Sequence, residues 1–480
     1  MRPRWVTYVQ FNSLTFVLFF AIVTTAYYTL SGWPARKRLL IAASYLFYAA
    51  WNPFYVLLLW FSTIADWLLA RRIDAATSVR ARRWWLRCSL TINLSLLGYF
   101  KYGDLLLEAF VDLARQIGIS YSPPALAIVL PVGISFYTFQ TLSYTLDVYR
   151  RQLKARASFT DFCLFVGFFP QLIAGPIVRA SYFLPQCEQP KRFSPDSFAW
   201  GAALLVFGLF AKVAIADAIL APAADAVFAN AAEIGTLDAW VGVFAFSGQI
   251  FFDFSAYSLC AIGAALCLGF ALPDNFRSPF AAIGFSDFWR RWHISLSTWL
   301  RDYLYVPLGG SRRGRARVAL NLMITMLLGG LWHGASWMFV IWGALHGAYL
   351  LAEHLARAAV GSGFHIRSGL VRFTLGLGTF VVVSVTWVFF RAPDLASAQA
   401  LLRALFVKSA GSAMLAEQLP LVLVTVAALV AWHWMHRTTT LEERFARWPL
   451  AARAATIAAA LLGIVYSSGG DGHAFIYFQF

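Results

Sequence analysis

Charged residues are scarce in this chain. Only 13% of its 480 residues are Asp, Glu, Lys or Arg, whereas 60% are hydrophobic, and the mean hydropathy is +0.64. A soluble domain usually carries about 25% charged residues. So few polar side chains cannot cover the core of a soluble fold of this length. The composition therefore excludes an ordinary soluble domain and predicts a chain whose outer surface faces lipid.

Acidic residues are the scarcer of the charged types. Lys and Arg number 39 against 23 Asp and Glu, a net charge of +16. In a soluble protein this excess would suggest nucleic acid, but the chain has no RNA-binding motif and no basic–aromatic strand pattern. In a membrane protein, basic residues collect in cytoplasmic loops. We therefore expect no nucleic-acid partner and place residues 36–38, 71–87, 150–156 and 312–317 in the cytoplasm.

Cysteine and short catalytic motifs are also sparse. The five cysteines form no C-x-x-C pair, and Cys260 and Cys267 lie two helical turns apart, too far to bridge. We interpret them as small apolar fillers. The sequence contains no P-loop, no G-x-S-x-G and no H-E-x-x-H, and its histidines are dispersed. These absences predict no disulfide framework, no metal site and no bound cofactor.

Long hydrophobic runs are what the chain has in abundance. A helix needs about 20 apolar residues to cross a membrane, which predicts an all-α polytopic membrane protein with about nine to twelve spans. The first run is interpreted as a retained span, because no signal-peptide cleavage site follows it. Asn52-Pro53 divides residues 38–70 into a hairpin. The predicted spans are 14–32, 38–51, 54–70, 84–100, 125–148, 160–176, 197–219, 238–270, 318–350, 370–391, 418–436 and 450–468.

Two segments depart from the pattern of spans. In residues 101–120, charges interrupt an apolar face, which predicts an amphipathic helix at the membrane interface. Residues 271–317 form the longest stretch without a span and mix charges with many aromatic residues. A long polar–aromatic connection is where we expect function.

His333 is the first candidate for chemistry. It lies within residues 329–337 (GGLWHGASW), inside a long apolar run whose glycines predict close helix packing or a bend. A neutral imidazole can act as a general base near pH 7, and ionisable groups inside spans are functional candidates. A structural histidine bonded to a neighbouring helix is the alternative, and the residues alone leave both open.

Other polar residues are weaker candidates. For His293, context alone favours an interfacial histidine among aromatic anchors. Asp253, in an aromatic span, can orient a substrate or brace two helices, and its context favours the brace. His346, 13 residues after His333, would point to another side of an ideal helix, so we do not pair them. We expect the remaining histidines to be solvated: His354, His365, His433, His436 and His473.

Several motifs together resemble the membrane-bound O-acyltransferase (MBOAT) family. Residues 331–337 (LWHGASW) and 291–303 (RWHISLSTWLRDY) are the most specific. Further matches are residues 11–16, 44–51, 131–140, 169–177, 251–258, 275–279 and 475–480. The resemblance covers nearly the whole chain as one domain, 1–480, and is closest to the bacterial alginate O-acetylation branch, which also includes D-alanylation proteins.

The resemblance implies a ring of helices around a central tunnel in the bacterial inner membrane. It implies that His333 is the active-site histidine and that His293 is the second histidine of this branch. The tunnel or donor pocket would be shaped by a further set of residues: Asp253, Asn275, Arg291, Trp292, Arg301 and Trp332.

The implied reaction is acetyl transfer from acetyl-CoA or an acyl carrier thioester, both co-substrates, to an extracytoplasmic exopolysaccharide. A periplasmic acetyltransferase, the exopolysaccharide machinery and membrane lipid would be its partners. A transporter or flippase also explains spans with buried polar residues, but the repeats and broken helix pairs of many transporters are not visible. A scaffold of a polysaccharide export complex is the third alternative, and it predicts that His333 is dispensable.

Overall fold

The structure is a computed structural model that describes residues 11–124, 128–312, 314–360, 368–407 and 415–468. All regular elements in these ranges are helices. The first eleven are α1 (Leu14–Thr29), α2 (Trp33–Ala49), α3 (Pro53–Ala75), α4 (Val79–Gln116), α5 (Ile134–Tyr149), α6 (Phe159–Gly167), α7 (Phe169–Leu172), α8 (Ala180–Phe183), α9 (Pro195–Phe210), α10 (Ala221–Ala229) and α11 (Thr236–Cys267).

The other nine α-helices follow the predicted functional stretch or lie within it. They are α12 (Phe285–Trp289), α13 (Ile294–Leu300), α14 (Arg315–His333), α15 (Trp337–Val360), α16 (Gly369–Arg391), α17 (Leu395–Phe406), α18 (Leu419–Met435), α19 (Leu441–Arg447) and α20 (Leu450–Ser467). Short 3₁₀ turns lie at Leu184–Cys187 and Pro279–Ala281, and π-helical turns at Ala211–Leu220 and Arg301–Tyr305. The prediction of an all-helical fold is confirmed.

Five helices of the described residues are long and apolar enough to cross a membrane. They are Pro53–Ala75, Pro195–Ala229, Thr236–Cys267, Gly369–Arg391 and Leu450–Ser467. Three shorter apolar helices are α1, α17 and α18. The chain is thus a multi-pass membrane protein, while the count of nine to twelve spans stays a prediction.

The chain divides into two compact units. The first comprises residues 1–205 and 260–273, and the second comprises residues 206–259 and 274–480. Two of the three boundaries fall within α9 and α11, and the third follows Pro273. The single domain expected from the sequence stays a prediction.

A buried polar network joins α3, α4 and α5 in the first unit. Asn93 Nδ2 donates to both carboxylate oxygens of Asp66, at 3.0 and 2.9 Å, and Ser89 Oγ donates to one of them at 2.7 Å. Thr141 Oγ1 donates to Asn93 Oδ1 at 3.3 Å. All four side chains are buried. Because buried polar groups are costly unless they are bonded, this network fixes the mutual rotation of the three helices.

Two predicted segments of the first unit have other bounds in the structure. The helix expected to begin near residue 101 is the continuation of α4, which runs unbroken over 38 residues, and its place at the membrane interface stays a prediction. The span expected at 160–176 is divided into α6 and α7 at Phe168, whose ψ of 109° is not helical. Pro170 explains this break, because proline lacks the N–H that a continuing helix requires and clashes with the preceding turn.

Glycines allow α14 and α15 to pack closely in the second unit. A Cβ at Gly330 would lie 2.2 Å from Phe339 O, and one at Gly343 would lie 2.4 Å from Met326 O. These neighbours are backbone atoms and cannot move aside. The predicted run 318–350 is therefore two helices in close contact, as its glycine content indicates.

The connection before α13 (residues 274–293) is held by side chains from several helices. Gly284 N donates to Thr379 Oγ1 on α16 at 2.9 Å, and Ser286 N donates to Glu353 Oε2 on α15 at 2.9 Å. Satisfying these backbone donors lets an irregular segment lie among packed helices. The longest predicted stretch without a span contains α12, α13 with the π-helical turn that follows it, and the first residues of α14.

Some predictions fall on residues outside the described ranges. These are residues 475–480 of the family motifs, His365 and His473, part of the span 125–148, and residue 313 of the basic cluster.

Candidate active site

His333 lies at a break between two helices. It is the last residue of α14, and the chain leaves the helix at Gly334 with φ −163° and ψ 155°. A Cβ at Gly334 would lie 2.1 Å from the Phe339 ring. Only glycine therefore lets α15 return close to the end of α14, and this return buries His333, which is 4% exposed.

Aromatic rings surround the His333 imidazole. Its ring centroid lies 5.2 Å from those of Trp342 and Phe390 and 5.1 Å from that of Trp332. The His293 ring follows at 6.3 Å. The two histidines that the sequence motifs single out are therefore neighbours inside an apolar environment.

His293 has a strained backbone. Its φ of 42° and ψ of 54° lie in the left-handed region, and it directly precedes α13. A residue with a side chain occupies this region at a cost of about 1–3 kcal/mol, and such residues cluster at functional sites. This backbone conformation turns the imidazole inward, where it is fully buried. Its ring centroid lies 4.6 Å from that of Phe254.

Asn275 holds the His293 ring in one orientation. Its Oδ1 lies 3.2 Å from His293 Nδ1 and accepts bonds from Ser295 N at 3.2 Å and Ser295 Oγ at 2.9 Å. The Ser295 N–H identifies this atom as the amide oxygen, so Nδ1 must be the protonated nitrogen of a neutral His293. Asn275 is itself oriented by Ser258 Oγ, which accepts from its Nδ2 at 3.2 Å.

The protonation state of His293 follows from its surroundings. It lies outside the candidate spans, and burial lowers the pKa of His293 to about 3. The imidazole is therefore neutral near pH 7, with Nδ1 donating to Asn275 and Nε2 as the acceptor nitrogen. A neutral imidazole with a fixed tautomer can orient a hydroxyl or accept its proton.

The two predicted tryptophans have different positions. Trp332 packs on both histidines, with its ring centroid 5.7 Å from that of His293. Trp292 points away into the aromatic core, where it packs on Phe276 at 5.1 Å and Trp387 at 5.2 Å. Trp332 is thus placed to contact a reacting group, whereas Trp292 supports the segment that carries His293.

The predicted arginines are engaged elsewhere. Arg291 donates to Asp287 Oδ1 at 3.0 Å and to Arg437 O at 3.1 Å, so it ties the connection before α13 to the end of α18. Arg301 is exposed and paired with Asp302 at 2.7 Å. Neither guanidinium has a described contact with the ring of His333 or His293.

Asp287 forms ion pairs with Arg291 and Arg437 in this region. Burial alone would raise the pKa of Asp287. However, the Ile283 N–H bond, the charge of Arg291 and a bond from Arg437 at 2.8 Å together hold that pKa below its usual value. The ionised carboxylate thereby fastens the segment that orients His293.

Asp253 is paired with a buried lysine that the sequence analysis overlooked. Lys212, in the π-helical turn after α9, bonds to Asp253 on α11 and to Asp217 at 2.9 Å. The Lys212 and Asp253 side chains are 2% and 3% exposed. Of the two roles predicted for Asp253, this contact favours the brace between helices. A lysine in an apolar run, five residues before an aspartate, was the available signal.

Sequence reasoning also missed how His346 relates to the site. The ideal-helix projection separated His333 from His346, but the helix breaks between them, and both pack on Trp342, at 5.2 and 4.7 Å. His346 Nε2 lies 3.3 Å from Thr386 Oγ1, whose hydroxyl donates to Val383 O at 2.6 Å. His346 therefore braces α15 against α16 behind Trp342.

The expectation that His433 is solvated is wrong. His433 is 3% exposed, and its Nδ1 accepts a bond from Phe280 N at 3.3 Å. Its ring packs on Phe251 at 4.6 Å. Its position near a span end suggested solvent, but the connection before α13 folds over it and needs an acceptor there.

No group of three or more His, Cys, Asp or Glu side chains in the described ranges is arranged to hold a metal ion. The site chemistry that the described residues offer is that of two imidazoles in an aromatic enclosure.

Comparison with known proteins identifies the family. The model of the membrane-bound O-acyltransferase family matches residues 141–365, which include both histidines. The chain is 41% identical over 398 residues to the probable alginate O-acetylase AlgI of Pseudomonas aeruginosa, covering 82% of this chain and 74% of that protein. This chain belongs to the membrane-bound O-acyltransferase family.

Two further relatives show the range of the MBOAT family around this chain. A peptidoglycan O-acetyltransferase of Helicobacter pylori is 38% identical over 424 residues, covering 82% of this chain and 79% of the relative. A teichoic acid D-alanyltransferase of Bacillus subtilis is 28% identical over 230 residues, covering 45% and 56%. The predicted resemblance is confirmed, and the chain is a membrane O-acyltransferase.

Proposed function

We propose that this chain takes an acetyl group from a cytosolic thioester and delivers it for O-acetylation of an extracytoplasmic exopolysaccharide. The supporting observation is the pair of buried imidazoles, His333 and His293, whose ring centroids lie 6.3 Å apart. Each comes from a special backbone position, a helix break or a left-handed residue. A strained backbone conformation costs free energy, and such residues cluster at functional sites.

The proposed step needs one base and one group that orients the acceptor. His333 accepts the proton of the acceptor hydroxyl as its oxygen attacks the thioester carbonyl. The new C–O bond forms, the C–S bond breaks, and the departing thiolate takes up the proton. His293, neutral and fixed by Asn275, offers Nε2 as a hydrogen-bond acceptor that holds the hydroxyl in line.

A covalent variant of this step uses the same residues. In it, the His333 ring attacks the thioester and carries the acetyl group briefly before the hydroxyl receives it. The aromatic enclosure of Trp332, Trp342 and Phe390 suits both variants, because it excludes water that would hydrolyse the thioester.

The acceptor and partners are inferred from the relatives. Two of them are named for acetylation of alginate or peptidoglycan, both polysaccharides. We therefore propose a polysaccharide acceptor, reached through a periplasmic acetyltransferase and the exopolysaccharide machinery. The proposed location is the bacterial inner membrane, and the proposed donor is acetyl-CoA or an acyl carrier thioester.

The test is acetyl transfer by the purified full-length protein from labelled acetyl-CoA, with His333→Ala compared at equal folded yield. Loss of a positioned general base reduces turnover about 10²–10⁴-fold. His354→Ala is the matched control, because it removes a histidine of the same unit that has no described contact with the pair.

Each outcome of this test decides between hypotheses. Loss of turnover in His333→Ala with normal His354→Ala supports the acyl-transfer mechanism. Unchanged turnover in His333→Ala removes His333 from the chemistry and leaves His293. No turnover in the wild type, with acyl carrier thioester and candidate partners added, contradicts the proposal and favours a transporter or scaffold.

A further inference from the structure

A basic cavity of about 350 Å³ opens in the first unit, and none of its lining residues belongs to the site assigned above. It is formed where the chain leaves α1 and where it enters α9. Its lining combines three cations with aromatic rings, a composition typical of sites for anionic, partly apolar ligands. The lining residues are Tyr28, Ser31, Trp33, Arg36, Pro190, Lys191, Arg192 and Phe193.

Arg36 is a lining residue of this cavity whose side chain is held by several contacts. Its guanidinium donates to Leu30 O at 2.7 Å, to Lys191 O at 2.9 Å and to Tyr28 O at 3.4 Å. It also stacks over the Tyr27 ring at 5.3 Å. These contacts join the exit of α1 to the segment before α9, so the cavity is built before any ligand enters.

Lys191 and Arg192 supply positive charge that the protein does not neutralise. Neither forms an ion pair with any residue that the structure describes. Two acidic residues of the first unit are engaged with other cations, since Asp161 pairs with Lys37 and Glu188 pairs with Arg156 at 2.7 Å. None of the eight described lining residues is acidic. The cavity therefore carries positive charge that an anionic ligand would neutralise.

The aromatic residues give the cavity an apolar wall. Lys191 Nζ lies 5.3 Å above the Phe270 ring, which holds its stem in place. Tyr28 packs edge-on against Phe193 at 5.1 Å, and Tyr28 Oη is anchored on Cys267 O at 2.7 Å. A small hydrated anion would gain nothing from this wall, whereas an anion joined to an apolar chain would contact it.

An exposed apolar stripe lies along α1, the helix whose end lines the cavity. Leu14, Leu18 and Ile22 share one face of this helix and are 74%, 57% and 68% exposed. The stripe follows the four-residue helical spacing, and the same helix continues to Tyr28, which lines the cavity. An acyl chain lying along this stripe would bring an attached phosphate to Lys191 and Arg192.

We propose that this cavity binds the phosphate of an anionic phospholipid, with the acyl chains lying along α1. Basic residues beside the end of an apolar helix attract anionic lipids by about 1 kcal/mol per cation, and aromatic rings favour the same depth in the bilayer. The proposal does not rest on the proposed acetyl transfer, because it concerns binding in another part of the molecule.

The test measures lipid binding by the full-length protein in neutral detergent micelles, using native mass spectrometry. Phosphatidylglycerol and phosphatidylcholine of equal chain length are the probes. The expected result is a preference for phosphatidylglycerol that falls roughly ten- to thirtyfold in K191Q/R192Q, since two cations are removed. R192Q alone, which changes an exposed side chain, should lose about fivefold.

The matched control is R80Q/R83Q, which removes two exposed arginines of the same unit far along the chain from the cavity. It should keep the lipid preference, and a loss equal to that of K191Q/R192Q would show general attraction and overturn the site. Displacement of the lipid by millimolar inorganic phosphate or coenzyme A would assign the cavity to free phosphate and overturn the lipid proposal. An unchanged preference in R192Q and K191Q/R192Q would also overturn it.

Discussion

Replacing Lys212 with methionine should destabilise the protein strongly. The lysine joins Asp253 on α11 and Asp217 in its own π-helical turn, and the three side chains are 2%, 3% and 10% exposed. Methionine keeps the apolar stem but leaves two carboxylates together in an apolar interior. Breaking a buried pair by removing one partner costs about 3–5 kcal/mol, and here both carboxylates lose their shared cation.

The loss of stability should depend on which member of the Lys212–Asp253–Asp217 cluster is replaced. In Asp253→Asn, Lys212 keeps its bond to Asp217 at 2.9 Å, so no cation is stranded. We expect a loss of about 1–2 kcal/mol there, as for a weakened hydrogen bond to a charged group. In the double variant Lys212→Met/Asp253→Asn, one carboxylate remains, so its cost should be smaller than the sum of the two single losses, with a coupling of about 0.5–3 kcal/mol.

The assay is unfolding by SDS titration in mixed micelles, extrapolated linearly as for other denaturants. Arg115→Met is the matched control, because it removes a cation from an exposed pair with Asp112 at 3.3 Å and should cost less than about 0.5 kcal/mol. A Lys212→Met loss no larger than that of Asp253→Asn, or strictly additive losses, would refute the reasoning.

Two further predictions concern the second unit. Gly330→Ala should cost about 1–3 kcal/mol and reduce acetyl transfer, because the new Cβ would meet Phe339 O at 2.2 Å and push apart the helices that bury His333. Thermal unfolding checks this against Gly378→Ala, whose Cβ meets nothing within 4 Å and should be neutral or stabilising. The lowered pKa of Asp287 should contribute stability that is fully present above its unfolded pKa of about 3.9 and is lost as the pH falls through the folded value. Unfolding from pH 7 to 3 should therefore show a deficit of Asp287→Asn that shrinks below about pH 4, and a constant deficit would contradict this.

Hydropathy and glycine content were enough to predict the helical membrane fold. The runs at 370–391 and 450–468 match α16 and α20 within a residue or two. The break of 160–176 was not predicted, because the run was judged by its apolar content although it contains Pro170. Length rules count apolar residues and do not detect where a backbone donor is missing.

The candidate site was partly predictable. The motif around His333 marked it as functional, but the packing of His293 beside it could not follow from helical periodicity. The periodic argument assumed one helix through Gly334, so it placed His346 on a different side from His333, whereas both rings pack on Trp342. A projection of side chains around a helix fails wherever the helix ends.

Lys212 shows what the sequence did contain. Ionisable residues inside spans are functional or paired by default, and that rule was applied to Asp253 but not to the lysine in the preceding run. Applied to both, it would have predicted an ion pair between the two helices. The ion pair between Lys212 and Asp253 could therefore be predicted by seeking a partner for every charge inside an apolar run.

The geometry of the site depends on polar contacts that lie outside it. His293 is held by Asn275, and the segment carrying both is fastened by Asp287 and Glu353 through backbone N–H groups. An irregular backbone among packed helices is stable only if its donors are satisfied. Acceptors on the surrounding helices are thus as necessary for the histidine pair as the histidines themselves, and their loss should disorder His293 before it unfolds the helices.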